Sequence, residues 1–428
     1  MIRFERKILS NGLRVVVAPM KNSEAVTLQV LVGVGSKNES KRLNGISHFL
    51  EHLFFKGTKK RPTASDIYKE LDRIGASHNA FTGHEITGFW VKSADKYFDV
   101  GLDVISDLLL NPIFKKEEVE KEREVILQEI AMYEDLPQRK VLELLLELMF
   151  GNQPAGRSVI GDKKSVKGIK RSDILKYRSD NYIAKNMEIV VAGKINPEKI
   201  FNKIESAFSG IKKGVKIPPA KTKEGQKSPR AEIFNKKSDQ THLMLGFRAF
   251  DMFDERRHAL NVLSVILGGN SSSLLFSEIR EKSGLAYYVG SDDWLQTDTG
   301  LIYLRAGVSH ANLRKTLEKM KNIVSDMKKT GVSLKVLNDA KSYIRGQMAL
   351  GLETTDHVAD FYGEQDLFYK KILQPDEILR KIEKVSQDDI LNVAGAVFKP
   401  ENASLAVIGR HANAAKQEEY CRKLLSEM

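Results

Sequence analysis

At 428 residues and 42% hydrophobic content the chain can bury a large core, and its length points to two or three domains. A single cysteine, Cys421, excludes an internal disulfide framework and fits a reducing compartment, and no apolar run approaches the length of a membrane span. The formal charge of +12 comes from lysines spread over helices and one linker, without an interleaved basic and aromatic platform. No nucleic-acid partner and no membrane partner is therefore expected, and an N-terminus without an apolar h-region points to a cytoplasmic protein.

Arg3 to Leu9 and Leu13 to Ala18 flank Asn11-Gly12, a two-residue hairpin signal, and Ala25 to Val34 continues as a strand. From Asn44 to Gly57 the pattern turns helical, with Asn44 and Ser47 as candidate N-caps, Gly57 as a stop and no proline between. His48 and His52 are i and i+4, so their rings leave one face a turn apart, and Glu51 lies between them on the wheel. Two neutral imidazoles at this spacing can bind one Zn²⁺ and leave the carboxylate beside an activated water, the layout of a metal-assisted hydrolase. The plainer reading is a pair of helix histidines in a packed, partly polar face. A Glu buried beside two His without a metal is costly, which favours zinc.

Ala64 to Ile74 reads as a helix stopped by Gly75, followed by strands at Ser77 to Phe81 and Ile86 to Val91 and by an amphipathic helix from Ala94 to Leu110. A tetrahedral catalytic site needs a third protein ligand and an open position for water. The helix expected over Lys115 to Asp135 offers one: Val125, Ile126, Ile130 and Tyr133 form an inward stripe, with Glu122 and Glu129, seven apart, beside it. Glu129 sits among Ile126, Leu127 and Ile130, where an unpaired carboxylate is expensive. A helix at Val141 to Phe150, a loop at Gly151 to Gly161, a helix at Arg171 to Asn181, a buried strand at Met187 to Ala192 and a last segment, Asn196 to Phe208, complete an α+β half with an antiparallel sheet.

His48-Phe-Leu-Glu51-His52, followed 77 positions later by Glu129, resembles the inverted zinc motif of the pitrilysin/insulinase peptidases, which include mitochondrial processing peptidase. The resemblance implies that His48, His52 and Glu129 bind one Zn²⁺ per chain, that Glu51 is the general base, and that Glu122 is a carboxylate standing behind the ligands. Asn79-Ala80-Phe81-Thr82 is similar to the family's substrate-pairing edge strand. Arg280 and Tyr287, at the end of Gly268 to Tyr287, match the pair that holds substrate and stabilises the oxyanion. Full-length members close two halves around substrate as a clamshell, and this chain resembles one half. That implies a homodimer in which Arg280 and Tyr287 of one protomer complete the zinc site of the other. The expected function is a zinc metalloendopeptidase hydrolysing flexible peptides or unfolded polypeptides inside a dimer-enclosed chamber. The alternatives are a catalytically inactive scaffold of the same fold, against which the intact His48, Glu51, His52 and Glu129 argue, and more distantly a basic nucleic-acid-binding protein.

Lys212 to Arg230, with Pro218-Pro219, Pro229 and six lysines, reads as an exposed linker between a zinc-binding catalytic domain, 1–211, and a second domain, 231–428. Asp173-Ile-Leu recurs as Asp389-Ile-Leu, Asn186 as Asn402 and Gly193 as Gly409, each 216 positions on, which suggests two copies of one domain. The expected fold class is α+β, with two tandem homologous domains that each pack a mainly antiparallel sheet with helices. The second copy opens on a strand-like Thr241 to Arg248, and its first helix, Arg256 to Leu267, fills its face with Ala259, Leu260, Val262, Leu263, Val265 and Ile266, so only the first half can hold the metal. Gly268-Gly269-Asn270-Ser271 lacks the Gly-Lys-Ser/Thr of a phosphate loop and reads as a turn before a helix at Leu274 to Glu281. His78 and His84, near the proposed substrate strand, read as packing or surface residues, and His242, His258, His310, His357 and His411 have no ligand spacing.

Overall fold

The Asn11-Gly12 turn joins β1 (Glu5–Ile8) and β2 (Arg14–Pro19) in an antiparallel hairpin, with Gly12 at φ 92° where a side chain would be strained. The structure, a computed structural model, describes residues 3–428. With β3 (Ala25–Val32), β4 (Ser77–Thr82), β5 (Thr87–Ala94) and β6 (Met187–Gly193) the hairpin builds a six-stranded sheet in the order β1-β2-β6-β3-β5-β4. A second sheet holds β7 (Arg230–Asn235), β8 (Thr241–Arg248), β9 (Ala286–Leu295), β10 (Gly300–Val308) and β11 (Ala403–Gly409) in the order β7-β11-β8-β10-β9. Antiparallel pairing dominates both, and each contains one parallel pair, β2 with β6 and β7 with β11. The α+β class follows.

The 216-residue repeat has a physical basis in matching caps. Helix Arg171–Asn181 and helix Gln387–Val397 each use the aspartate at their third position, Asp173 or Asp389, to accept the backbone N–H of the preceding cap residue, Lys170 or Ser386. Asn186 then donates its amide to the Asn181 carbonyl at 2.9 Å, and Asn402 donates to the Val397 carbonyl at 3.0 Å, closing each helix before β6 or β11 begins.

The chain forms two units by contact, and neither is continuous in sequence. One comprises residues through Ala131, Ser158–Ala220 and Ala349–Gln374; the other comprises Met132–Arg157, Lys221–Met348 and Pro375–Met428. Helix Thr355–Phe368 covers one face of the first sheet, where Val358, Ala359 and Tyr362 pack on Val16, Ala18, Val190 and Ala192. Polar contacts fix its register: Thr27 with Thr355 at 2.8 Å, Lys92 with Asp356 at 2.7 Å and Gln29 with Asp360 at 2.5 Å. Helix Pro137–Phe150, which starts with proline at its first position, covers the second sheet through Leu145 and Met149 against Met244, Ala406 and Ile408. Each sheet is thus covered by a helix from the other side of the stretch expected as a linker. Residues 212–229 form no helix or strand, and Thr222 and Lys223 are held by Asp298 and Gln153 rather than solvated throughout.

Two local expectations change. The motif helix runs Ile46–Phe54 with Gly45 at its N-cap; Asn44 and Ser47 do not cap it through their side chains. Helix Lys116–Glu134 buries Val119, Glu122, Arg123, Ile126 and Ile130, a stripe at helical spacing, whereas Val125 is 44% exposed and stands off it. No helix among the described residues is long and apolar enough to cross a membrane.

Candidate metal centre

The motif helix enters through a left-handed Gly45 (φ 93°), packed so closely on Ile160 that a Cβ would meet its carbonyl at 2.6 Å. Its first N–H groups are satisfied by a residue that the sequence does not single out. The fully buried Glu39 carboxylate accepts the Gly45 N–H at 2.7 Å, the Ser47 N–H at 2.8 Å and the Asn44 amide at 3.0 Å. Burial pushes Glu39 up to about 7 against the lowering pull of those hydrogen bonds. In the same first turn the Ser47 hydroxyl meets the Tyr177 hydroxyl at 2.8 Å, and Phe49, Leu50, Leu53 and Phe54 bury the remaining faces.

This anchoring turns His48 and His52 to the same side, with ring centroids 4.6 Å apart. Helix Lys116–Glu134 brings Glu129 up to both: its Oε2 is 3.5 Å from His48 Nε2 and 3.6 Å from His52 Nε2. A tetrahedral zinc with bonds of about 2.0–2.1 Å places neighbouring donors about 3.3 Å apart, so two imidazole nitrogens and one carboxylate oxygen at these separations can reach one ion. Among the described residues this is the one group of three such side chains close enough to do so. The donor set fits zinc.

Glu122, also on that helix, accepts from His52 Nδ1 at 3.1 Å with one oxygen and from Lys56 Nζ at 2.8 Å with the other. This fixes the His52 tautomer with Nε2 as the metal-facing nitrogen. Burial works to raise the Glu122 carboxyl, but the bonds to His52 and Lys56 outweigh it and hold the group below the ordinary range. Without metal, burial lowers His52 and is overcome by Glu122, Glu51 and Glu129, so the ring titrates above its usual value.

Glu51 points from the same helix toward the edge of the sheet. Thr82, at the end of β4, donates its hydroxyl to Glu51 Oε2 at 2.5 Å. Burial raises the Glu51 carboxyl and this hydrogen bond opposes the rise. The four residues expected to pair with substrate therefore divide. Thr82 touches Glu51, Ala80 and Asn79 line the cleft beside it, and Phe81 lies over Gly88, where a Cβ would meet its ring at 2.3 Å. β4 pairs with β5 on one side and is the outermost strand in the sheet order, while Asn79 Oδ1 already accepts the Ala80 N–H at 2.9 Å. The cleft measures about 220 Å³, and its walls include Glu51, His52, Phe55, Tyr68, His78 and Glu122. His78 stacks on Tyr68 at 5.6 Å, a packing role rather than a ligand's.

In the other unit, Arg280 lies in a π-helical turn, Phe276–Glu281, that widens the end of the helix expected there, with its guanidinium 4.9 Å over the Phe276 ring. Tyr287 follows in β9 and is 61% exposed. Helix Arg257–Gly268 buries Ala259, Leu260, Val262, Leu263, Ile266 and Leu267 and carries no ligand set.

Residues 14–163 match the profile of the insulinase family (peptidase family M16), and residues 168–344 match that of the peptidase M16 inactive domain. An uncharacterized zinc protease of Rickettsia felis is 34% identical over 404 residues, spanning 94% of this chain and 96% of its own. An uncharacterized zinc protease of Bacillus subtilis is 32% identical over 415 residues, 96% of this chain and 99% of its own. In structure, a protease from Helicobacter pylori superposes with a TM-score of 0.89 at 25% identity, covering 96% of this chain and 100% of that one. A peptidase M16 inactive domain from Pseudomonas fluorescens shares the fold, with a TM-score of 0.87 at 18% identity over 96% of this chain and 98% of its own. With matches of this extent on both sides of a His-x-x-Glu-His helix and its distant glutamate, the chain belongs to the insulinase (M16) family of peptidases.

Proposed function

We propose that this protein is a zinc metalloendopeptidase that hydrolyses flexible peptides or unfolded polypeptides. The observation that carries the reading is the convergence of two imidazole nitrogens and one carboxylate oxygen within 3.5–3.6 Å contacts, with Glu51 beside them and tied to an edge strand through Thr82. His48, His52 and Glu129 would hold one Zn²⁺ per chain, and relatives named zinc proteases support that choice of metal. The ion, when bound, supplies Lewis-acid polarisation of a peptide carbonyl and lowers the pKa of water. Glu51 takes the proton from the attacking water and hands it to the leaving amine, and Thr82 keeps its carboxylate turned to that path. Glu122 holds His52 by its Nδ1 proton. Substrate lies extended along β4, reading backbone more than side chains, which favours flexible over folded chains.

In the same reading Tyr287 donates to the developing oxyanion and Arg280 binds a substrate carbonyl or carboxylate. The working unit is a homodimer, in which each zinc site is completed by Arg280 and Tyr287 of the partner protomer.

The test is zinc content measured with cleavage of a flexible peptide library. One zinc per chain with cleavage supports the reading, whereas full zinc occupancy without cleavage would make the protein a scaffold. Mixing His48→Ala with Tyr287→Phe under subunit exchange should restore activity to at most about half of wild type per dimer. An inactive mixture with proven exchange would exclude completion by the partner.

A further inference from the structure

Tyr287 occupies an irregular place in the second sheet. Along β9 and β10 the pairing runs Val289 with Ala306 and Tyr288 with Gly307, and then jumps to Ala286 with Val308. Tyr287 is the extra residue of a β-bulge, opposite no residue of β10. A bulge interrupts the ladder and re-aims the side chain it carries, and this one leaves Tyr287 61% exposed on an edge strand.

Both sides of the bulge are pinned. On one, Ala286 and Val308 are buried in the core of the second unit. On the other, Tyr288 lies flat across Gly307, so close that a Cβ there would meet the ring at 2.3 Å. The ring reaches past β10 to β8, where Gly307 pairs with His242. The Tyr288 hydroxyl and His242 Nδ1 are 2.9 Å apart, and the two rings stack at 5.9 Å with 24° between their planes. Three residues on three adjacent strands thus form one clamp: a glycine that leaves room, a tyrosine laid over it and a histidine that holds its hydroxyl. Burial keeps His242 below the ordinary imidazole range and pushes Tyr288 up to about 12, so both stay neutral and the contact is an uncharged hydrogen bond.

We infer that Tyr288, His242 and Gly307 are positioning residues that set the bulge presenting Tyr287 to substrate. The inference rests on the proposed role of Tyr287 at the oxyanion. The clamp acts through Tyr287 and touches no reacting atom. Loosening it should lower kcat by about 10- to 100-fold, as loss of supporting contacts around a site commonly does, with KM within about twofold. It should leave zinc content unchanged.

The experiment uses the full chain, zinc-loaded, on a fluorogenic flexible peptide, with Tyr287→Phe, Tyr288→Phe, His242→Ala, His242→Asn and Gly307→Ala. Tyr288→Phe removes only the hydroxyl and leaves the ring over Gly307. His242→Asn puts an acceptor oxygen near the place of Nδ1, so it should recover most of what His242→Ala loses. In a Tyr287→Phe background, Tyr288→Phe should cost nothing further, because its effect passes through the group already removed. Amide exchange at residues 286–289 of the metal-free protein should quicken in Tyr288→Phe. Loss by Tyr287→Phe with wild-type kcat in both Tyr288→Phe and His242→Ala would overturn the clamp. Equal losses from Tyr288→Phe in both backgrounds would overturn it too, showing a merely structural role. Wild-type kcat in Tyr287→Phe would remove the role of Tyr287 itself, a separate failure from that of the clamp.

Discussion

Helix Ile46–Phe54 in one unit and helix Arg257–Gly268 in the other each come after an inner strand, β3 or β8, and before the two strands at the sheet's end, β4 and β5 or β9 and β10. The second is held mainly by apolar burial, through Leu260, Val262, Leu263 and Leu267, with Ser291 donating its hydroxyl to the Ser264 carbonyl and Asn261 bonded to Asp293. The first turns His48 and Glu51 into a buried face, where apolar contact cannot satisfy them. Its polar groups are met one by one: Glu39 at the helix start, Tyr177 at Ser47, Glu122 at His52 and Thr82 at Glu51. The same slot in a repeated fold therefore tolerates chemistry only where several separate segments supply directional partners, because a buried polar group left unmet is costly.

Making the first helix more like the second should have the largest effect. His48→Ala should lose both zinc and activity, while Glu51→Gln should keep zinc and lose peptidase activity by about a thousandfold or more. Near-normal turnover in Glu51→Gln, read beside its metal content, would strip Glu51 of the general-base role. Next come the glutamates across from it. Glu129→Gln should sharply lower zinc affinity in chelator competition, and Glu122→Gln should cost about 10- to 100-fold in affinity or activity. Equal, mild effects from the two would put the third ligand elsewhere.

The cap gives a pH-dependent difference. Burial raises Glu39 from 4.5 to about 7, so the folded chain binds an extra proton between those values. That contribution to stability is complete below pH 4.5 and is lost as pH rises through 7, by at most about 3 kcal/mol. Denaturant unfolding of metal-free wild type and Glu39→Gln at pH 5 and pH 8 should show the larger fall in wild type. Parallel curves would refute it. The smallest expected effect is a near-symmetrical one: Asn186→Ala removes the bond to Asn181, Asn402→Ala removes the bond to Val397 with a longer one to Ala396 at 3.4 Å, and each should cost about 1 kcal/mol. Very unequal costs would mean that the two copies do not share this cap energetically.

The His-x-x-Glu-His helix and the glutamate that meets it were legible because helical spacing is local and an acid in an apolar run stands out. The repeat was legible because its caps depend on single residues at fixed offsets. Glu39 was not, since it caps from a turn six residues upstream of Gly45 and nothing in its neighbours marks it. Nor was the bulge at Tyr287, which depends on the register of β10. Periodicity shows that Val141 to Phe150 has an apolar face but not which sheet that face meets, so sequence order places this helix in the first half, although it packs on the second sheet.

That crossing over of helices imposes a timetable on synthesis. The sheet face made by Val16, Ala18, Val190 and Ala192 is present once β6 has been translated, but its cover, Thr355–Phe368, arrives only near the end of the chain. At roughly 5–20 residues per second, the apolar face waits on the order of ten to thirty seconds on the ribosome before it can close. The nascent chain carries all the proposed zinc ligands throughout that wait, on a half whose apolar sheet face is still without its covering helix.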